Sequence, residues 1–464
     1  MGKLDIREAL KISIAVPTAL LIALWLGWEK PYWAAATIVI LATNESFGHS
    51  IKTGKERILG AALGSILAVI LVALFPQSPI YFMATFISVS SILVYLSGCQ
   101  YHGYLFKMAL TVCTLIAMVG GLDNVATFQI AVTRLQETIL GVLVFTFVYT
   151  FLGQQETQQL VKSSFEDALE AIRKKIVSAR YPSFFDKSST DIEFSTAKKR
   201  LISLLSLPLN GSHDLASNKK NYQILLAALI ESAEREIESS ESEQLLIHRY
   251  STIKRLLTQN AISDCSSKTL PALLELTERE SKVLIKQTKP TLTVFTNYQA
   301  RLMTVLQNAC IVATSFLIWI HLPVPGGTTF PMLACVLANS LVTMPKSMIK
   351  HVIGGFLVFS VVILIQFVLI MPVLTEAWQL AAFYFANLFC IWLICDILKQ
   401  PLQKMLGGQL LVVLTNGTLH LTPTYDIQTP IIMIILVFMS LAICKFFIDL
   451  IQTEVLFPHR IIPT

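Results

Sequence analysis

Charge is what this chain has least of. Only 14% of its 464 residues are Asp, Glu, Lys or Arg, whereas 54% are hydrophobic. Ordinary soluble domains carry roughly 25% charged residues. The shortage excludes a water-soluble fold for most of the chain, but it is uneven. Residues 154–300 hold 20 of the 36 Lys/Arg and 18 of the 30 Asp/Glu, leaving 16 cations and 12 anions for the other 317 residues. Other things are missing as well. The eight cysteines form no CxxC and no Cys/His cluster. They read as small hydrophobes and imply neither a metal nor an oxidising compartment. There is no GxxxxGK[ST] and no strand–Gly-loop–helix pattern, so no ATP-driven pump is visible. No nucleophile–base or metal spacing appears at a membrane face, which argues against an enzyme and calls for no cofactor. The net charge of +6 sits at the edges of apolar segments, which is not the footprint of a nucleic-acid binder.

What is there is a series of apolar runs. A membrane helix needs roughly 20 apolar residues. Such runs lie near 9–28, 31–46, 58–76, 79–98, 104–120 and 136–153, and again near 302–321, 328–344, 352–371, 377–396, 404–420 and 430–451. The second, eighth and eleventh are short or broken by polar residues. Lys3, Arg7 and Lys11 precede the first run as in a secretory leader, but the run is long and recurs internally, so it reads as an uncleaved span. With the N-terminus inside, the inner edges carry Lys3, Arg7, Lys11, Lys52, Lys55, Arg57 and Lys107 in the first half. In the second they carry Arg301, Lys346, Lys350, Lys399, Lys404 and Arg460. The outer edges carry only Lys30 and Arg134. This is the positive-inside pattern, and it puts both termini in the cytoplasm of a multi-pass plasma-membrane protein.

The two halves match at an offset of 294 residues. "KTGKERILGAALG" at 52 aligns with "KSMIKHVIGGFLV" at 346. At that spacing Arg7 meets Arg301, Trp25 meets Trp319, Pro31 meets Pro325, Ser46 meets Ser340 and Gly60 meets Gly354. Farther on, "KMALTVCTLIAMVGG" at 107 resembles "KMLGGQLLVVLTNGT" at 404, with the offset shifted by three. Six spans per unit is an even number, so the halves enter the membrane from the same side, a plan common among transporters. Between them, "QLVKSSFEDALEAIRKKIVSAR", "NYQILLAALIESAEREI" and two further stretches place apolar residues at helical spacing. The expected fold is an all-α integral membrane protein. Two six-helix transmembrane repeats in parallel orientation, 1–153 and 301–464, flank a cytoplasmic helical domain at 154–300. The acidic stretch "ESAEREIESSESE" there reads as a solvated helix end rather than a metal site.

Three stretches carry a resemblance: "KPYWAAATIVI" at 30–40, "ERILGAALG" at 56–64 and "RLQETILGVLV" at 134–144. Their Tyr32–Trp33 pair, Arg57–Gly60 step and Arg134–Glu137–Gly141 series resemble the membrane module of the fusaric-acid-resistance, or aromatic acid exporter, family. The two-halves plan with a helical insert is similar to full-length members. The insert is shorter than in typical exporters, and Asn44–Glu45 stands where many relatives carry Gln-Pro. The resemblance implies efflux of aromatic carboxylic acids or related toxic compounds across a bacterial inner membrane. It also implies a periplasmic adaptor partner and coupling to the proton gradient.

Polar groups inside a membrane are costly and therefore functional suspects. Arg57 is either a topological anchor or a bidentate fork for a substrate carboxylate. Its repeat-mate is His351, which points to one asymmetric site rather than two equal ones. Lys107 joins it as a candidate at the inner side. Arg134 and Glu137, one turn apart at the outer start of the sixth span, form either a structural ion pair or a gate. Asn44 and Glu45 end the second span, as interfacial groups or as part of a cavity. Asp396 lies where Lys399 can neutralise it. Asn416 and His420 belong to a polar interruption, "QLLVVLTNGTLHLTPTYD", which is either an outer loop or, with "GGLDN" at 120–124 as its counterpart, a marker of the substrate path. The main expectation is a secondary exporter of a small aromatic anion. A passive anion channel resembling plant malate channels is the alternative, and a non-transport envelope scaffold the second. Homo-oligomerisation stays open.

Overall fold

The structure, a computed structural model, describes residues 6–28, 31–44, 46–75, 78–99, 102–121, 123–152, 157–180, 187–206, 218–234, 240–258, 270, 273–274, 298–420 and 423–451. Among the described residues every regular element is helical. Two compact units emerge. One comprises Met1–Asn44, Thr53–Leu152 and Thr293–Thr464, and the other Glu45–Lys52 and Gly153–Leu292.

The first unit opens with α1 (Ile6–Trp25), α2 (Tyr32–Ala42), α3 (Phe47–Leu74, from Thr53 onward in this unit), α4 (Pro79–Ser97), α5 (Gly103–Val119) and α6 (Asn124–Phe151). The second unit holds α7 (Thr157–Arg180), α8 (Lys187–Ser206), α9 (Lys219–Glu234) and α10 (Ser240–Thr258). The first unit resumes with α11 (Tyr298–His321), α12 (Thr329–Leu341), α13 (Lys346–Leu369), α14 (Ala377–Ile397), α15 (Pro401–Leu414) and α16 (Gln428–Leu450). Among the described residues, eight of its helices are long and apolar enough to cross a membrane. The chain is a multi-pass membrane protein. The remaining four, α2, α5, α12 and α15, have 11, 17, 13 and 14 residues. At 1.5 Å per residue they reach only about 16–26 Å, short of the roughly 30 Å hydrocarbon core.

Local chemistry sets the helix ends. Asp123 caps α6, its Oδ1 accepting from Val125 N at 2.8 Å and Ala126 N at 3.2 Å. Pro79 and Pro401 open α4 and α15, where a missing N–H costs nothing. Helix α14 starts with a reciprocal Glu376/Gln379 capping box. It ends with Lys399 in the left-handed region at φ 54. Gln400 N donates to Cys395 O at 2.9 Å and Lys399 N to Asp396 O at 3.1 Å, the Schellman pattern usually built on glycine.

Two helices start earlier than their apolar runs. Helix α3 begins at Phe47 rather than near 58, and α6 at Asn124 rather than near 136. Both are 28 residues long, about 42 Å. Arg57 and Arg134 therefore sit ten residues inside continuous helices, not at their edges.

The packing of the first unit is reciprocal. Helix α1 runs along α14, and α4 along α11. The short helix α5 meets short α12, and short α2 meets short α15. Within each set, α2 packs on α6 and α12 on α16. Glycine permits the closest crossings: a Cβ at Gly60 would lie 2.6 Å from Leu105 O, and one at Gly64 would collide with Ala109 O. The contact between α3 and α5 is thus a Gly-xxx-Gly face. One apolar core runs from Ala61, Phe86 and Ile116 to Val312, Phe316 and Cys335.

The second unit has its own core, with Val161, Phe165, Leu201, Leu225, Leu229, Ile253 and Leu257 facing inward. Arg249 is only 2% exposed. It donates to Leu274 O at 2.9 Å and pairs with Glu231 at 3.2 Å, so the acidic stretch begins with an ion-paired residue. Residues 235–239 of that stretch lie outside the described set.

Candidate functional site

Helix α2 gathers the polar groups of the first half. Its run AAATIVI contains one hydroxyl, Thr37, which turns back to Trp33 O at 2.9 Å. Arg57, 3% exposed, reaches across from α3. Its Nε donates to Thr37 Oγ1 at 3.1 Å and its Nη1 to Tyr104 Oη of α5 at 2.9 Å. The arginine thus ties together both short helices of its half. Its hydrogen-bond partners are neutral hydroxyls, which supply no opposite charge where charge is expensive.

One turn nearer the start of α2, Arg134 of α6 lies over two rings. Its guanidinium carbon is 4.5 Å from the centroid of Trp33 and 5.4 Å from that of Tyr32. Nη1 donates to Glu137 Oε2 at 2.9 Å, and Nη2 to Tyr32 Oη at 3.4 Å. Glu137 is wholly buried. Gly141 brings α6 against this face: a Cβ there would lie 2.7 Å from Ala34 O and 2.8 Å from Thr37 Cβ. The residues Tyr32, Trp33, Arg57, Arg134, Glu137 and Gly141, scattered over 110 positions of sequence, converge on one short helix.

Lys107 sits one turn beyond Tyr104 on α5 and faces the other half. Its Nζ donates to Thr343 Oγ1 at 2.7 Å, while Asn339 Nδ2 donates to Lys107 O at 2.9 Å and Thr111 Oγ1 at 3.2 Å. The same seam carries Arg301 Nη2 to Gly98 O at 2.7 Å, Asn308 Nδ2 to Ser90 Oγ at 3.4 Å, and Thr114 against Cys335 at 3.4 Å. At the reciprocal seam, Gly408 of α15 meets the Val39 side chain of α2 and the ring of Trp392.

The other described candidates make their own local contacts. Asn44 closes its own helix, Nδ2 donating to Leu41 O at 3.2 Å. Glu45 lies outside the described residues. Asp396 pairs with Lys404 at 2.5 Å, and the backbone conformation of Lys399 serves the helix end. Asn416 opens the 3-10 turn Asn416–Leu419 that follows α15, its Oδ1 buried without a partner, and His420 ends that turn half-buried. Beside them Tyr384 Oη and Thr415 Oγ1 share a 2.5 Å hydrogen bond. Sequence reasoning missed Thr37, Tyr104, Asn339 and Thr343. A lone hydroxyl in an apolar run was the signal for Thr37; the others have no local signature. Lys11, read as an edge anchor, is buried, 2.6 Å from Glu8 and over the Tyr149 ring.

The family model described as fusaric acid resistance protein family matches residues 5–183. The p-hydroxybenzoic acid efflux pump subunit AaeB of Musicola paradisiaca is 25% identical over 174 residues, 35% of this chain and 27% of that protein. An uncharacterized transporter, YdhK, of Escherichia coli is 30% identical over 144 residues, 30% of this chain and 21% of that protein. Another, GOX0755 of Gluconobacter oxydans, is 26% identical over 175 residues, 35% of this chain and 23% of that protein. The matched stretch spans about a quarter of the length of these relatives. No solved structure matches the chain.

Proposed function

We propose that this chain, whose residues 5–183 match the fusaric acid resistance protein family, is a secondary exporter of small aromatic carboxylic acids in a bacterial inner membrane. The observation that carries this reading is Arg57, a guanidinium buried in the apolar unit and held by the hydroxyls of Thr37 and Tyr104. A cation so placed is stabilised by an anion that can dock and leave. A carboxylate is the shape a guanidinium fork matches best. The aromatic part of the proposal rests on the name of the AaeB relative.

In this reading α1–α6 and α11–α16 are parallel repeats about an axis along the membrane normal. Their reciprocal packing and the recurrence of a short second and fifth helix in each set support it. The short helices α2, α5, α12 and α15 then meet at mid-depth, where transporters keep their sites. The second unit is a cytoplasmic domain, the termini are cytoplasmic, and a periplasmic adaptor takes the exported acid onward. The proton gradient drives export, with Glu137 beside Arg134 as the group placed to exchange a proton.

The test is efflux of 4-hydroxybenzoate from preloaded cells expressing the full chain. Arg57→Ala, inserted at wild-type level, should lower the rate at least tenfold, with Arg57→Lys intermediate. Undiminished efflux from Arg57→Ala removes the arginine from the path. An uncoupler should abolish uphill export. Flux that continues downhill, unaffected by the uncoupler, identifies a passive anion channel instead.

A further inference from the structure

Two N–H groups on this face lack acceptors. Trp33 Nε1 and Arg134 Nε are both buried and make no hydrogen bond. Neither side chain is idle otherwise, because the guanidinium stacks on the indole at 4.5 Å. The stack keeps the two donors within one small region. Leaving a donor buried and unmade costs about 1–3 kcal/mol, and native proteins rarely tolerate two together without a use for them. Arg134 is itself more than nine-tenths buried, at 6% exposure.

Position adds to this. Trp33 and Thr37 are one turn apart on α2, about 6 Å along its axis, and Thr37 is where Arg57 docks. The indole and the hydroxyl that docks Arg57 therefore lie on one face of α2, the face that α6 lines. The second half has no such pair of points. At the repeat offset Tyr32 and Trp33 are replaced by Gly326 and Gly327, Thr37 by Pro331 and Arg57 by His351, which is exposed. Helix α16, the partner of α12, carries no charged residue from Gln428 to Cys444.

We infer that Trp33 and Arg134 are specificity-determining residues: their free N–H groups read a hydrogen-bond acceptor on the aromatic ring, opposite the carboxylate held by Arg57, and they do so at one site per chain. The inference rests on the exporter reading and deepens it. A ring bearing an acceptor satisfies both donors. A ring of the same size without one leaves them buried and unpaired, which discriminates more strongly than shape does.

The experiment is equilibrium binding of radiolabelled 4-hydroxybenzoate and 4-methylbenzoate to the purified full-length protein. The two ligands share a carboxylate and nearly the same shape. Wild type should bind the hydroxy acid about tenfold more tightly, the worth of one good buried hydrogen bond, with one site per chain. Trp33→Phe keeps a ring beneath the guanidinium but deletes the N–H. It should cut the ratio severalfold through weaker 4-hydroxybenzoate binding, with monodisperse elution at wild-type yield as the sign of an intact fold; a ratio that stays at tenfold would overturn the role of the indole N–H. Equal affinities in wild type would overturn the inference, a result that needs no variant to fold. So would a Trp33→Phe protein that loses both ligands alike, or two sites per chain. If neither acid binds wild type, the exporter reading falls, and this inference with it.

Discussion

The Arg134–Glu137 pair allows a quantitative test of how the first unit tolerates charge. Glu137 is wholly buried and Arg134 nearly so, with 2.9 Å between Nη1 and Oε2. Replacing Glu137 by Leu leaves a guanidinium in an apolar interior with no counter-ion. Truncating one partner of such a pair costs about 3–5 kcal/mol. The rings of Trp33 and Tyr32 remain beneath the cation, and each contributes on the order of 1 kcal/mol, so the loss should fall near the lower bound, about 3 kcal/mol. Removing both charges is a different perturbation. Arg134→Met with Glu137→Leu leaves packed hydrophobes, and replacing a whole buried pair is often neutral within about 1 kcal/mol. The double variant should therefore be more stable than the Glu137→Leu single variant by at least about 2 kcal/mol, a difference well above the additivity error. Denaturant unfolding in mild detergent, followed by tryptophan fluorescence, measures this. A difference below about 0.5 kcal/mol would refute the reasoning and mean that water already solvates the pair. The double variant should also lose 4-hydroxybenzoate efflux despite its stability, because it removes the charges and not the fold.

Two further outcomes follow from local geometry. Lys399→Gly should stabilise the protein by about 1 kcal/mol, because a lysine held at φ 54 bears the strain that glycine escapes; unfolding of the purified variant checks it, and a loss of stability would show that the lysine side chain matters more than its backbone. Thr114→Cys should form a disulfide with Cys335 under mild oxidation, since the two side chains meet at 3.4 Å across the α5–α12 seam. With a protease site inserted near residue 212, the halves should then stay joined on a non-reducing gel, and separate bands from an oxidised sample would contradict the seam.

The helical, multi-pass class of the chain was legible because it is written in composition. The contrast between residues 154–300 and their flanks is a contrast of charge density, which needs no partner to be seen. Three of the four short helices announced themselves by short runs or polar breaks. The fourth, α5, did not, because GYLFKMALTVCTLIAMV is as apolar as a full span and stops only at Gly120. The start of α3 was misplaced for an instructive reason. Lys, Glu and Arg are good helix formers, so "KTGKER" continues a helix as readily as it ends one. Charge counts orient a chain but do not report burial, and Arg57 and Lys11 were both assigned to an edge. The convergence on α2 was not legible at all. Thr37 lies 20 positions from Arg57, and Tyr104 lies 47 positions from it. Sequence names each residue, but only the crossing of α2, α3, α5 and α6 brings them together.

The interlocking of α1 with α14 has a consequence for biosynthesis. Ala377 emerges 371 residues after Ile6, which at about 5–20 residues per second is roughly 20–70 seconds of translation. Throughout that interval the flank of α1 must be covered by lipid or by the insertion machinery. The first six helices therefore wait, unfinished, for the last six, and a ribosome that stalls in between leaves an open surface in the bilayer.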